Sequence, residues 1–155
     1  MVANNINENE LAAQLKIKLG EDLSITEDKY FTMLNIAPGR LLALMQLLKA
    51  EYGFDQLSNL TSVDFVETFE VVYHLYSIAS HAKICVKTRI PADNPQVESV
   101  VDIWPGADWQ EREVYDLMGI IFTGHPNLIR VLLPDDFEGH PLRKDFVRKE
   151  PGADA

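Results

Sequence analysis

Cysteine is nearly absent from this chain: Cys85 is the only one in 155 residues. A single thiol cannot close an internal disulfide, and an iron–sulfur cluster needs about four such ligands. Long apolar runs are missing too, and no window approaches the roughly 18 residues that cross a bilayer. Basic residues are scarce, with 14 Lys and Arg against 24 Asp and Glu and a net charge of −10. Phosphate contact needs a basic face, so general nucleic-acid binding is excluded. The one local basic spot, at Arg143, Lys144, Arg148 and Lys149, reads as solvated or paired at an interface. No glycine-rich phosphate loop follows any predicted strand, which removes nucleotide binding. The start, Met1 to Glu8, carries neither a basic nor an apolar leader segment, so the chain is expected to be made and kept in the cytoplasm.

What is present fits one domain over residues 1–155, with a core at about 30–147 and flexible ends at 1–8 and 148–155. Leu11, Leu15 and Leu19 recur at helical spacing and Gly20 ends that helix. Residues 22–28 read as a polar loop and 30–36 as a strand. Pro38 opens the best-marked helix, with Leu41, Leu44, Met45, Leu48 and Tyr52 on one face and Gly53 closing it. Strands are predicted at 57–65, 69–78 and 83–90. In the last, Ile84, Val86, Thr88 and Ile90 alternate with a basic outer face. The short link Ala79–Ala82 makes a hairpin. Tyr73 and Tyr76 fall on opposite strand faces as packing residues, and Cys85 reads as an inert strand thiol.

After a turn at 91–95, Val97, Val100, Val101 and Trp104 predict a short amphipathic helix stopped by Pro105-Gly106. Asp108, three residues before Glu111, predicts a capping box that starts another helix at Trp109 and runs to Met118 and Gly119. Beyond Ile121 the chain turns irregular. The fold class is therefore α+β: a mixed or antiparallel sheet with a helix on one face, then short helices and an irregular C-terminal tail.

Two segments are dense in charge of both signs beside aromatics: Glu111 to Gly119, and Phe137 to Phe146. Within the first, Arg112 and Asp116 stand four apart and are placed to pair. Glu111 and Glu113 face about 200° apart at 3.6 residues per turn, so they form no paired-carboxylate acid/base site. His125, His140, Asp135, Asp136 and Glu138 lack metal-ligand spacing. A hydrolase or metal enzyme built on His125, Asp135 and His140 stays as a competing class. A surface both apolar and charge-patterned suits a permanent protein partner. Trp109, Tyr115, Phe137 and Phe146 would anchor it, and Glu111, Arg112, Asp135, Arg143 and Lys144 would set its register.

Trp104-Pro105-Gly106-Ala107-Asp108-Trp109, Glu111-Arg112-Glu113 with Tyr115-Asp116-Leu117, Gly119-Ile120 and Gly124-His125-Pro126 form a connected pattern. Leu132-Leu133-Pro134-Asp135-Asp136-Phe137-Glu138-Gly139-His140-Pro141-Leu142-Arg143-Lys144-Asp145-Phe146 completes it. This pattern resembles the thirty-kilodalton subunit family of respiratory complex I, the C subunit of bacterial NADH–quinone oxidoreductase. The resemblance spans roughly residues 30–147. It implies a cofactor-free, non-catalytic scaffold in the peripheral arm, on the cytoplasmic side of the cell membrane and attached only through partners. Those partners are the large quinone-pocket subunit and neighbouring iron–sulfur subunits, with FMN, clusters and quinone held there. The expected interface comprises Trp109, Glu111, Arg112, Glu113, Tyr115, Asp116, His125, Asp135, Phe137, Glu138, His140, Arg143, Lys144, Asp145 and Phe146. Direct quinone contact by the tail is a further alternative. Two departures from the family pattern stand out. Ile129 precedes Arg130 where many relatives carry consecutive basic residues, and the chain stops nine residues after Phe146 where many extend. Related subunits occur in membrane-bound hydrogenases, formate hydrogenlyases and F420H2 dehydrogenases, and the sequence does not choose among electron donors.

Overall fold

A computed structural model describes residues 7–149. Asn7 caps the first helix, α1 (Glu8–Leu19), by accepting the Asn9 amide at 3.0 Å. Leu11, Leu15 and Leu19 are buried as their spacing predicts, and Gly20, at φ 61°, ends the helix. Of the expected flexible end at residues 1–8, Asn7 caps α1, Glu8 begins it, and the others lie outside the described residues. So do 150–155 of the expected flexible C-terminal end.

Residues 22–28, expected to be a loop, instead form a strand, β1 (Leu23–Glu27), paired antiparallel with β2 (Thr32–Ile36). Leu23 and Ile25 alternate with Ser24 and Thr26 and face the core, a four-residue pattern that the polar residues on either side obscure. Asp28 makes the turn, its Oδ1 accepting the amides of Tyr30 at 2.7 Å and Phe31 at 2.8 Å.

One tight turn at Pro38–Arg40 leads into α2 (Leu41–Ala50), which buries Leu41, Leu44, Met45 and Leu48. Then come β3 (Gln56–Asp64), β4 (Thr68–Tyr76) and β5 (Lys83–Pro91). The sheet runs β1-β2-β5-β4-β3, antiparallel throughout except for the parallel pair β2 and β5. A parallel pair needs a long crossover, and here it passes through α2 and the β3–β4 hairpin. Leu34, Ile36, Val71, Tyr73, Leu75, Ile84 and Val86 share one buried cluster with the leucines of α1 and α2. The alternate positions carry charge: Glu70 sits 3.2 Å from Arg89 and 3.8 Å from Lys87. Cys85 is buried on that side, and burial pushes its thiol up, which suits an inert residue. The hairpin predicted between the last two strands is present.

The helix expected over Val97–Trp104 does not form. Gln96–Glu98 is a short strand, β6, and only one turn follows, with the amides of Ile103 and Trp104 reaching Val100 O. Val97 is buried by strand pairing and Val100 by that turn, so two different local structures met the helical spacing. The next helix, α3 (Ala107–Met118), begins earlier than expected. Gly106 occupies its cap position without a side-chain bond, and Asp108 lies inside the first turn. There its charge favours the helix dipole instead of closing a capping box. Gly119 ends α3 at φ 73°. Ile121–Thr123, read as irregular, forms β7 beside β6. From 124 to 149 no helix or strand occurs, as anticipated.

Candidate functional site

The carboxylates of α3 divide by face. Glu113 is exposed, whereas Glu111 and Asp116 are both 0% exposed. Glu111 accepts the Val100 amide at 2.8 Å and the Ser99 hydroxyl at 2.6 Å. Burial pushes its carboxyl up to about 7, against the opposing pull of those two donors, and the nearby Asp108 charge adds to the rise.

Asp116 is the hub of the tail. Its Oδ1 takes Arg130 Nη1 at 2.7 Å, and its Oδ2 takes the amides of Val131, Leu132 and Leu133 at 3.2, 2.8 and 3.0 Å. Burial alone would raise this carboxyl, but the three amides and the guanidinium outweigh it and hold the group below the ordinary carboxylate range. The expected Arg112–Asp116 pair is thus replaced. Arg112 instead stacks over Trp109 at 4.5 Å and donates to Ile129 O at 3.2 Å.

A helix leaves its last carbonyls without partners, and the tail supplies them. Gly119 N reaches Tyr115 O at 2.8 Å and Leu142 N reaches Leu117 O at 3.0 Å. Asp116 O accepts His140 Nδ1 at 2.9 Å and Arg130 Nη1 at 3.2 Å. His140 packs so closely on the helix end that a Cβ at Gly119 would lie 2.6 Å from its ring. Tyr115 flanks the same imidazole at 6.0 Å. Further along, Phe137 and Phe146 stack at 6.1 Å, with Arg130 over Phe137.

The tail is also tied to the sheet. Lys144 N donates to Asp64 Oδ2 at 2.8 Å, and Arg143 lies over Phe69 at 4.9 Å while donating to Ala92 O. Burial would raise the Asp64 carboxyl, yet the Lys144 and Val66 amides and the nearby cations hold it below its usual range. An open groove of about 1130 Å³ remains between Phe137, His140, Arg143, Phe146 and Arg148.

Of the residues expected at an interface, Glu111 and Asp116 require correction. Both are enclosed, because their oxygens are consumed by backbone amides and side chains of the same chain. Arg143, His140 and the Lys144 backbone also bond within the chain. His125 accepts the Asn127 amide at Nδ1, so Nε2 carries the proton and faces Asp108 Oδ1 at 3.0 Å. Asp135, Glu138, Lys144 and Asp145 are exposed, with Glu138 near Lys149 and Asp145 near Arg143. Tyr115, Phe137 and Phe146 are half-buried, whereas Trp109 is 64% exposed. Ile129 and Leu132 are also exposed. Among the described residues, no group of three His, Cys, Asp or Glu is placed to hold a metal ion. Sequence reasoning missed Asp64, which meets Lys144 across 80 positions without any local signal. It also missed Arg130, whose lone charge gave no hint of its carboxylate.

Known proteins resemble this chain in sequence and in fold. The family described as respiratory-chain NADH dehydrogenase, 30 Kd subunit, matches residues 34–151. A relative from Moorella thermoacetica, the C subunit of its NADH-quinone oxidoreductase, is 46% identical over 139 residues, covering 88% of this chain and 94% of that one. Its counterpart in a Roseiflexus species is 47% identical over 115 residues, covering 71% of this chain and 66% of the other. Among solved structures, a trypsin-resistant fragment (1–134) of Nqo5 superposes with a TM-score of 0.69 at 30% identity, covering 76% of this chain and 98% of the fragment. A chain of the membrane-bound sulfane sulfur reductase, an archaeal respiratory membrane complex, gives 0.77 at 26% identity, covering 91% of this chain and 86% of that one. With a family match over most of its length and relatives approaching half identity, this chain belongs to the 30 Kd subunit family of respiratory-chain NADH dehydrogenase.

Proposed function

We propose that this chain is a scaffold subunit in the peripheral arm of a proton-translocating NADH–quinone oxidoreductase. It packs against the large quinone-pocket subunit and supports electron transfer without a reactive centre of its own. FMN, iron–sulfur clusters and quinone belong to neighbouring subunits, and attachment to the cytoplasmic side of the membrane runs through them. No helix among the described residues is long and apolar enough to cross a bilayer.

One observation carries this reading. The buried carboxylates of α3, Glu111 and Asp116, are satisfied inside the chain, while Trp109 of the same helix is left outside. Trp109 lies under the Arg112 guanidinium, which also donates to Ile129 O, and its exposed ring is typical of an interface anchor.

Trp109→Ala tests the reading. Assembly of the native complex, followed by NADH-dependent quinone reduction on native gels, is expected to drop by about tenfold, the effect of one anchor worth roughly 1.4 kcal/mol. The melting temperature of the purified chain should barely move. Normal assembly of the variant would remove the docking face.

A second reading has specific support. The likeness to a chain of the sulfane sulfur reductase favours an equivalent position in a related respiratory membrane complex with a different electron donor, such as a hydrogenase, formate hydrogenlyase or F420H2 dehydrogenase. Co-purified subunits, identified by mass spectrometry, separate the two.

A further inference from the structure

The β3–β4 hairpin ends in a turn whose sequence is unusual for its shape. Val66 holds φ 73°, a left-handed conformation that β-branched residues strongly avoid. Glu67 N donates to Phe65 O at 3.0 Å across it, and Val66 N donates to Asp64 Oδ1 at 2.7 Å. Glycine or asparagine would make this turn without strain and without apolar surface. Instead Val63, Phe65 and Val66 stand together in solvent, Val66 at 68% exposure. The prong is rigidly based. Phe65 N reaches Thr68 O, Ala92 N reaches Glu67 O, Arg89 stacks on Phe65 at 4.4 Å, and Asp64 holds Lys144 of the tail.

We propose that this tip, residues 63–67, is a second docking element that inserts Phe65 and Val66 into an apolar recess of the same protein partner that covers the tail. The inference rests on the docking reading above and extends it to a part of the chain that reading did not use. Continuity supplies the partner: the Asp64–Lys144 bond and the Arg143–Phe69 stack fix the tip beside the tail, so a subunit covering one meets the other. Charge argues against a bilayer. Lys87, Arg89, Arg143 and Lys144 around the tip are matched by Asp64, Glu67, Glu70 and Asp145, and the chain carries −10 overall, so anionic lipid finds no cationic collar. An apolar prong in neutral surroundings fits an apolar protein recess.

Val66→Gly separates docking from folding, because it relieves the backbone strain while deleting the side chain. The purified chain should melt at the same temperature or higher. The share of chain in the assembled, quinone-reducing complex should fall by about tenfold, the order expected for one buried aliphatic side chain. Phe65→Ser should show the same loss. A photo-crosslinker at position 66 should join the same subunit as one placed at position 132. If both tip variants assemble like wild type while Trp109→Ala does not, the tip proposal fails and the docking face stands. If all three assemble normally, both fail. Binding of the purified chain to phosphatidylglycerol–phosphatidylcholine vesicles that is lost in Val66→Gly would overturn the proposal in favour of a membrane contact.

Discussion

Arg130 Nη1 meets Asp116 Oδ1 at 2.7 Å beneath the surface, and this pair joins the end of α3 to the tail. Arg130 also donates to Gly139 O at 2.9 Å, so one guanidinium bridges two parts of the tail. Asp116→Asn removes the charge but keeps the shape, leaving the half-enclosed cation uncompensated. A loss of about 3 kcal/mol is expected, the lower end for breaking such a pair. Because the folded-state carboxyl is held below its unfolded value, its stabilisation is present above the unfolded pKa and is lost as pH falls through the folded one. Urea unfolding from neutral pH into acid should show this acid-linked loss in the wild type, reduced in the variant.

Glu111 behaves oppositely. Its carboxyl is raised from 4.5 to about 7, so the contribution is complete below the unfolded value and disappears as pH rises through the folded one. Glu111→Gln should therefore gain stability over the wild type above pH 7, by up to about 3 kcal/mol from the shift. The two proteins should converge in weak acid. A constant difference across that range would contradict the assignment.

Tyr73 is fully buried and its hydroxyl meets no partner among the described residues. Burial, then the Glu111 charge, pushes that phenol well above its ordinary value, so it stays neutral. Removing an unsatisfied hydroxyl from such a site is neutral or favourable. Tyr73→Phe should raise stability by about 1 kcal/mol, and a fall of that size in calorimetry would reveal a water bound to the oxygen.

Gly119 cannot tolerate a side chain. A methyl would collide with His140 and force an L-residue into left-handed backbone. Gly119→Ala should cost about 1–3 kcal/mol. The His140 ring resonances should shift as the imidazole is expelled from Asp116 O.

Much of the fold was legible because its signals are local. The leucines of α1 and α2, the alternation in β5 and the Gly20 and Gly119 stops each declare themselves within a turn or two. Strand β1 was not read because its alternation, Leu23-Ser24-Ile25-Thr26, is only four residues long and lies between acidic residues. The stretch from Val97 to Trp104 misled because strand and turn together imitate a helical repeat. In the charge-dense segments, composition did not show which carboxylates face inward. Glu111 and Asp116 look like recognition groups in one dimension. Only the path of the tail shows that Asp116 is met by amides of its own chain, and only the turn after β6 shows the same for Glu111.

Asp64 waits for an amide that is translated 80 positions later. During synthesis the sheet and α3 are translated before Arg130, His140 and Lys144, so the joints at Asp64 and Asp116 form last. The domain therefore cannot close progressively from its first residue. The segment from Arg130 works as a clasp: without it the Asp116 carboxylate would lose every partner it has among the described residues, and Asp64 would keep only the Val66 amide.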